Sequence, residues 1–334
     1  MIASSGDPRG GKDLQAQEEV GLQQLDSSSA AHKAMLNYKT QLSTKLWILG
    51  LVLASIGAGS AANKKQAPTD AEALIQRAAE NEVHALKNPL PCSYFQRLQW
   101  SWGTETRRVI QTDEAAPSRI VEFNDEPLGP DQLGKQIGSL QKLLADRDAR
   151  KHQLEEDRAE TRRRVRMMEA FPQAFVFNPA GEAPGGLLKF TFSPKPGFSP
   201  PNRESQVYRG MTGTVWVSPK AERLARIEGV LTKDVSFGWG IFGKLDKGGR
   251  YEVEQKQTSP GVWHITRLNL NVRGRVFLGG FRLQRDERNA DFRRTPPKMT
   301  LQTAVELLLQ SVTGPAKGTF PALEAQREKQ GSAK

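Results

Sequence analysis

After Pro172 the chain repeats one pattern: short runs in which apolar and polar residues alternate, each followed by glycine, proline or serine. A period of two is what a strand shows when one of its faces is buried and the other meets water. Such strands are typical of an antiparallel sheet, because strands of a parallel sheet are buried on both faces. The apolar residues that share a face within three of these runs are Val207, Met211, Val215 and Val217; Ile227 and Leu231; and Val262, Leu268, Leu270 and Val272.

Two groups of strands are predicted, one on either side of a helical segment. The first is a meander at 93–102, 105–112 and 118–124, rich in aromatic and β-branched residues. Helices are predicted at Asp70–Lys87 and at Leu301–Gln310. We therefore expect a mainly β chain of the α+β class, with about ten strands in a curved antiparallel sheet or half-barrel and helices at both ends. The later strands are predicted at 175–177, 187–192, 206–218, 223–232, 250–258, 263–274 and 275–284.

The segment 130–170 interrupts the strands with a long helical insertion, and its second half is nearly devoid of apolar residues. A helix that is polar all round cannot be buried. It is expected to stand in solvent, supported by pairs such as Asp146/Arg150 and Glu160/Arg164. Two interpretations remain open. The segment is a solvated connector, or it is an arm that meets a partner or an anionic surface through Arg162, Arg163, Arg164 and Arg166.

An apolar run at 46–56 follows Lys39 and Lys45, and small residues then lead to Ala61 and Ala62. A basic stretch, a short apolar stretch and small residues before a cleavage point are the three parts of a secretory signal peptide. An uncleaved anchor is the alternative, but a helix that crosses a bilayer needs about 20 apolar residues. The sequence therefore predicts export to the periplasm, with the mature protein free there or held at the cell envelope.

Once the leader, the signal peptide and the polar tail are set aside, the length that remains suits one domain, since single cores stop growing at roughly 250 to 300 residues. Met35 stands just before the basic stretch and would serve as a start. The expected organisation is a disordered leader or over-extended start at 1–34, a signal peptide at 35–62, one β-rich domain at 63–312 with its helical insertion at 130–170, and a disordered tail at 313–334.

The formal charge of the chain is +11, and none of that excess lies in the first 62 residues. A basic surface attracts polyanions: nucleic acid, anionic lipid head groups or anionic envelope polymers. Export favours the last two, so nucleic acid is not an expected partner. The alternative is that the excess only keeps the protein soluble.

Catalytic and metal-binding residues are scarce. The lone Cys92 excludes an intramolecular disulfide and is interpreted as a small buried hydrophobe, with a nucleophile as the alternative. No two of the four histidines lie at ligand spacing, and Gly238–Gly243 matches G-x-G-x-x-G without the helix that a dinucleotide site needs. We expect no enzyme activity, no metal and no cofactor. An unrecognised hydrolase would require a cleft with convergent polar groups.

The hairpin Gly213-Thr-Val-Trp-Val-Ser-Pro219 and the strand Arg223-Leu-Ala-Arg-Ile-Glu-Gly229 resemble the central hairpin of periplasmic proteins of the outer-membrane lipoprotein carrier type. The stretch from Phe237 to Gly249 is similar to secreted bacterial proteins with no assigned activity. The carrier resemblance implies a half-barrel whose concave apolar face, plugged by helices, holds acyl chains without covalent chemistry. The helical insertion departs from the simple carriers.

Two functional hypotheses follow. The first is a periplasmic protein that binds lipid or lipoprotein acyl chains. The second is an envelope-associated interaction module with a solid core, which docks a membrane surface or an envelope protein through the basic helix or the aromatic loop near Trp239. An apolar space of several hundred Å³ would favour the first hypothesis, and a filled core the second. The candidate lining residues of the first are Val215, Val217, Ile227, Leu231, Trp239, Phe242, Leu268 and Leu270.

Overall fold

The computed structural model describes residues 70–100, 103–237, 243–276, 279–310, 314 and 319–320. The predicted signal peptide and the leader before it lie outside the described residues, as does nearly all of the predicted tail. The described helices are α1 (Asp70–Lys87), α2 (Pro130–Ala145), α3 (Arg147–Ala174), a 3₁₀ helix η1 (Glu204–Gly210) and α4 (Leu301–Gln310).

Thirteen strands join one sheet. They are β1 (Cys92–Trp100), β2 (Gly103–Ile110), β3 (Ser118–Phe123), β4 (Glu126–Pro127), β5 (Phe175–Ala183), β6 (Leu187–Pro194), β7 (Met211–Ser218), β8 (Arg223–Leu231), β9 (Val235–Phe237), β10 (Gly243–Leu245), β11 (Arg250–Ser259), β12 (Val262–Val276) and β13 (Gly279–Arg294).

The strand order is β4-β3-β2-β1-β13-β12-β11-β8-β7-β6-β5, and β10 pairs with both β12 and β9. Neighbouring strands are antiparallel, and the sheet is not closed. The predicted class is confirmed: the chain is mixed α+β and mainly strands, with a large open antiparallel sheet and helices at both ends.

The helical insertion is two helices. The chain leaves the helical conformation at Asp146, where φ is −94° and ψ is 95°, and resumes it at Arg147. Pro130 occupies the start of α2, where a missing N–H has no cost, and Pro172 lies in the last turn of α3. α3 ends at Ala174, which is a few residues beyond the predicted end of the insertion at 170.

Four strand predictions need correction. β5 runs from Phe175 to Ala183, six residues past the predicted end at 177. Residues 206–210 lie in η1, because Ser205 N–H donates to Asn202 Oδ1 (2.9 Å) and the turn that results begins a 3₁₀ helix. β12 runs through Gly274, where a boundary was expected. An added Cβ there would lie 2.3 Å from the Lys244 carbonyl oxygen, so this glycine admits a neighbouring strand and does not mark a turn. β13 extends to Arg294, ten residues past the predicted end at 284.

The larger core lies where α1, α3 and η1 cover the strands β5 to β8. Phe171 of α3 packs against Phe175, Phe177, Phe192 and Tyr208, with ring centroids 5.4 to 6.0 Å apart. The fully buried members of this cluster include Ile75, Ala78, Ala174, Phe175, Val215, Val217 and Leu224.

A second, smaller core joins α2 and α4 to the first strands of the sheet. Leu140 of α2 packs with Val305 and Leu308 of α4 and with Ile110 of β2. Arg119 of β3 is buried and donates from Nη1 to the carbonyl oxygen of Leu308 (2.7 Å), one of the last carbonyls of α4. The C-terminal helix is thus fastened to the sheet by both apolar packing and a charged donor.

Candidate functional site

Four of the predicted lining residues lie together on the helix-covered face of the sheet. Val215 and Ile227 are cross-strand partners on β7 and β8, and cross-strand partners share a face. Val215 and Val217 are fully buried, and Ile227 and Leu231 are nearly so. The groups that cover them belong to the chain itself, since all four sit in the cluster that contains Ile75 of α1 and Phe171 of α3.

Leu268 and Leu270 lie on the same face but are only partly buried. Val253 of β11 pairs with Ile227 on one side and with Leu268 on the other, so the row continues across β12. The partner of Leu268 on the next strand, β13, is Glu287. This row of side chains therefore becomes polar at Glu287, and the neighbouring Leu270 is likewise opposite a charged residue, Arg285.

The polar part of this face is a paired network. Glu287 accepts hydrogen bonds from Gln96 Nε2 (2.9 Å) and Asn289 Nδ2 (2.9 Å) and forms an ion pair with Arg285. Two strands away, the buried Glu105 pairs with Arg107. Both carboxylates already have partners, which suits a structural network better than an acid or base awaiting a substrate.

Helix α3 passes near this polar part of the sheet. Burial raises the pKa of Tyr94 on β1, with Glu287 adding to the effect and Arg164 opposing it. Burial likewise raises the pKa of Tyr251 on β11 to about 12, and the same Arg164 opposes it. The guanidinium of Arg164 on α3 is thus within electrostatic range of both β1 and β11.

The four arginines of the predicted arm differ in their surroundings. Arg163 and Arg164 both form ion pairs with Glu160, at 2.6 and 3.7 Å, and Arg166 pairs with Glu204 of η1. Arg162 is exposed, and no described residue forms an ion pair with it. Of the two predicted helical pairs, Glu160/Arg164 is present. Arg150 donates to the carbonyl oxygen of Leu143 (3.0 Å), which caps α2.

Trp239 and Phe242, two of the predicted lining residues, lie outside the described residues. Only the residues on either side of the predicted aromatic loop are described. Phe237 at the end of β9 is buried in the larger core, and Gly243 at the start of β10 is buried against the end of β12.

Sequence reasoning missed a basic cluster at the end of the β12–β13 hairpin. Arg273 and Arg282 are directly opposite each other, and Arg275 is opposite both Gly280 and Lys244 of β10. All three arginines are exposed. The sequence signal is present: Arg273 and Arg275 lie two positions apart before Gly279-Gly280, and Arg282 follows. It can be recognised only once the register of the hairpin is known.

Two potentially reactive side chains of the described residues, Cys92 and His264, already have partners within the chain. Cys92 is buried, its Sγ donates to Gln111 Oε1 (3.3 Å), and burial raises the pKa of the thiol to about 11. His264 stacks on Phe292 (4.4 Å between centroids), and burial, followed by the charge of Arg223, lowers its pKa. Among the described residues no group of three His, Cys, Asp or Glu side chains is placed to hold a metal ion.

A cavity of about 220 Å³ lies at the start of β1, away from the predicted lining. Its walls include Pro91, Gln111, Arg294, Thr295 and Met299, and none of the eight candidate lining residues. It is smaller than the space that an acyl-chain carrier was expected to show.

Comparison of the chain with protein-family models, with curated proteins and with solved structures found no match. Of the helices that the structure describes, none has the length and apolar character to cross a bilayer.

Proposed function

We propose that the mature chain is an exported, non-enzymatic docking module of the cell envelope, with a solid core and a basic surface that binds an anionic partner. The observation that most supports this is the burial of Val215 and Val217 beneath the chain's own helices. A face that is already covered is a rigid base for surface contacts, and it offers no free apolar wall to cargo.

The distribution of charge supports an anionic partner. Of 48 lysines and arginines only five precede residue 63, and so do five of the 37 acidic residues. The whole excess of +11 therefore lies on the part that remains after cleavage. Such a field attracts anionic surfaces over distances of about a Debye length and weakens as salt is added.

The acyl-chain carrier is the rival hypothesis, supported by the resemblance of 213–229 and by the openness of the sheet. It requires α1 and α3 to move away from the sheet, because their apolar side chains fill the face on which the cargo would lie. Leu268 and Leu270 are the candidate lining residues that are only partly buried. They support the carrier hypothesis only in part, because they lie opposite the charged residues Glu287 and Arg285.

Two measurements on the full chain, expressed in a Gram-negative host, separate the hypotheses. Native mass spectrometry after gentle purification should show the mature mass without lipid, and incubation with a spin-labelled fatty acid should leave the label mobile. Sedimentation with isolated envelopes should retain the protein at low salt and release it at high salt.

Co-purified lipid or an immobilised label would favour the carrier and overturn the docking proposal. Absence from the envelope pellet at low salt would also overturn it. An intact precursor mass, with residues 1–62 still attached, would contradict the export part of the proposal.

A further inference from the structure

We propose that the exposed arginines of the β12–β13 hairpin form the docking surface and that its partner is a membrane rich in anionic phospholipid. This inference rests on the proposed docking function and assigns it to Arg273, Arg275 and Arg282, called here the hairpin cluster. The predicted arm on α3 is the alternative location within the same function.

The hairpin cluster lies on one face of the sheet. Arg273 and Arg282 are cross-strand partners, and Arg275 lies two positions from Arg273 on the same strand, so all three side chains leave the same side. Lys244 of β10 is the other partner of Arg275 and adds a fourth cation to that side. Three strands thus bring four bases together, and Lys244 is separated from the three arginines in the sequence by β11.

The three arginines of the hairpin cluster have no ion-pair partner within the described part of the chain, whereas Lys244 has two. Lys244 forms ion pairs with Asp234 (2.7 Å) and Asp246 (3.9 Å). No ion pair joins any described carboxylate to Arg273, Arg275 or Arg282. Like charges placed directly opposite each other destabilise a sheet, so the pair Arg273/Arg282 is a cost within the folded chain. An anionic surface would remove that cost.

The strands that carry the three arginines are hydrogen-bonded to each other and to β10. Within the described residues, β13 pairs with β1 only from Asp286 onward, and from residue 279 to 285 it pairs with β12. On the other edge of this hairpin lies β10, and the N–H of Asp246 donates to the carbonyl oxygen of Arg273 (2.9 Å). This backbone pairing fixes the spacing of the arginines, which suits a broad anionic surface.

A lipid surface is favoured over nucleic acid by the predicted export of the chain, since anionic lipid head groups are among the polyanions that an exported basic surface meets. Anionic head groups present negative charge over a broad area. Because Arg273, Arg275 and Arg282 leave one face of the sheet, all three can meet such a surface at once.

The test compares four variants of the full chain, one of which, Arg162→Gln, removes the exposed arginine of the predicted arm on α3. The first, Arg273→Gln with Arg275→Gln and Arg282→Gln, removes the hairpin cluster. The second changes the same three residues to lysine, which keeps the charge. The control, Lys135→Gln with Lys142→Gln and Lys220→Gln, removes equal charge from exposed positions elsewhere.

Binding is measured by sedimentation with vesicles of phosphatidylglycerol and phosphatidylcholine at low salt. Each basic residue near an anionic bilayer contributes about one kcal/mol, so the glutamine variant should bind roughly 100-fold more weakly. The lysine variant and the control should stay within about threefold of the wild type, and vesicles of phosphatidylcholine alone should bind none of them.

Several results would overturn the inference, and they differ from those that overturn the proposed function. If the glutamine variant binds like the wild type while Arg162→Gln weakens binding, the protein docks through α3 and the hairpin assignment fails alone. If a single-stranded oligonucleotide binds more tightly than the vesicles and displaces them, the partner is a nucleic acid and not a membrane. If the wild type sediments with envelopes but never with anionic vesicles, the partner is an envelope protein, and the membrane assignment fails. Circular dichroism spectra of the four variants that equal the spectrum of the wild type would show that the comparison concerns folded chains.

Discussion

Glu82 holds the N-terminal helix to the sheet, and its replacement should be among the most damaging single changes to a polar residue. This carboxylate is 6% exposed. It accepts two hydrogen bonds from Arg223, from Nε at 2.7 Å and Nη2 at 2.9 Å, and a third from the N–H of Leu224 at 3.2 Å. Gln255 Nε2 supplies a fourth at 3.1 Å, so one side chain connects α1, β8 and β11.

Glu82→Gln keeps the shape and removes the charge. The guanidinium of Arg223 would then stay buried without a counter-ion, and breaking a buried pair from one side costs about 3 to 5 kcal/mol. A matched control lies on the same helix. Arg77 Nε pairs with Glu222 Oε1 at 2.6 Å, but these side chains are 49% and 36% exposed, so Arg77→Gln should cost only about 0.2 to 1 kcal/mol.

The free energy of unfolding is measured by urea denaturation followed by circular dichroism, with the slope of the transition required to stay constant. The double variant Glu82→Leu with Arg223→Leu should recover most of the loss, because apolar side chains of similar volume often replace a buried pair without cost. If Glu82→Gln loses no more stability than Arg77→Gln, the carboxylate does not fasten α1, and the reasoning is refuted.

Two further predictions concern titratable groups near the ends of β1 and β12. Because Cys92 is buried and its pKa is raised to about 11, iodoacetamide at mildly alkaline pH should label it slowly in the native chain and fully in urea; rapid native labelling would contradict this. The pKa of His264 is lowered in the folded chain, so the unfolded chain binds its proton first as pH falls. The contribution of His264 to the free energy of unfolding is therefore present above about pH 6.5 and lost below it. His264→Gln should reduce the pH dependence of the free energy of unfolding in that acid range. An unchanged dependence would show that other groups determine it.

The strands with period-two alternation were predictable because one of their faces is buried by apolar contacts. Val215 and Val217 were assigned to one face of a strand, and they do share one. The helices α1 and α4 were placed at their observed bounds, since capping residues, apolar stripes and the Asn88-Pro89 stop are local features.

The last part of β13 was not predictable from alternation. This part of the strand contains polar residues that are buried, including Glu287 and Asn289. Their hydrogen-bond partners include residues far away in the sequence, such as Gln96, which donates to Glu287. β4, β9 and β10 have two or three residues each, too few to show a period. The hairpin cluster was missed for a related reason, because the opposition of Arg273 and Arg282 depends on a register that begins at Gly279.

The same contacts bear on whether cargo can enter the sheet. Twelve methylenes of an acyl chain, buried at about 0.8 kcal/mol each, would contribute roughly 10 kcal/mol. Reaching Val215 would require α1 and α3 to leave, which exposes Leu74, Ile75 and Phe171 at roughly 2 kcal/mol each. It would also expose other apolar residues of these helices in the same cluster, which are Ala78, Ala170, Ala174, Met167 and Met168. The apolar contacts that the helices would lose offset most of what the cargo would gain, so hydrocarbon has little net affinity for this face. A basic surface, by contrast, can bind an anionic membrane without moving any element of the core.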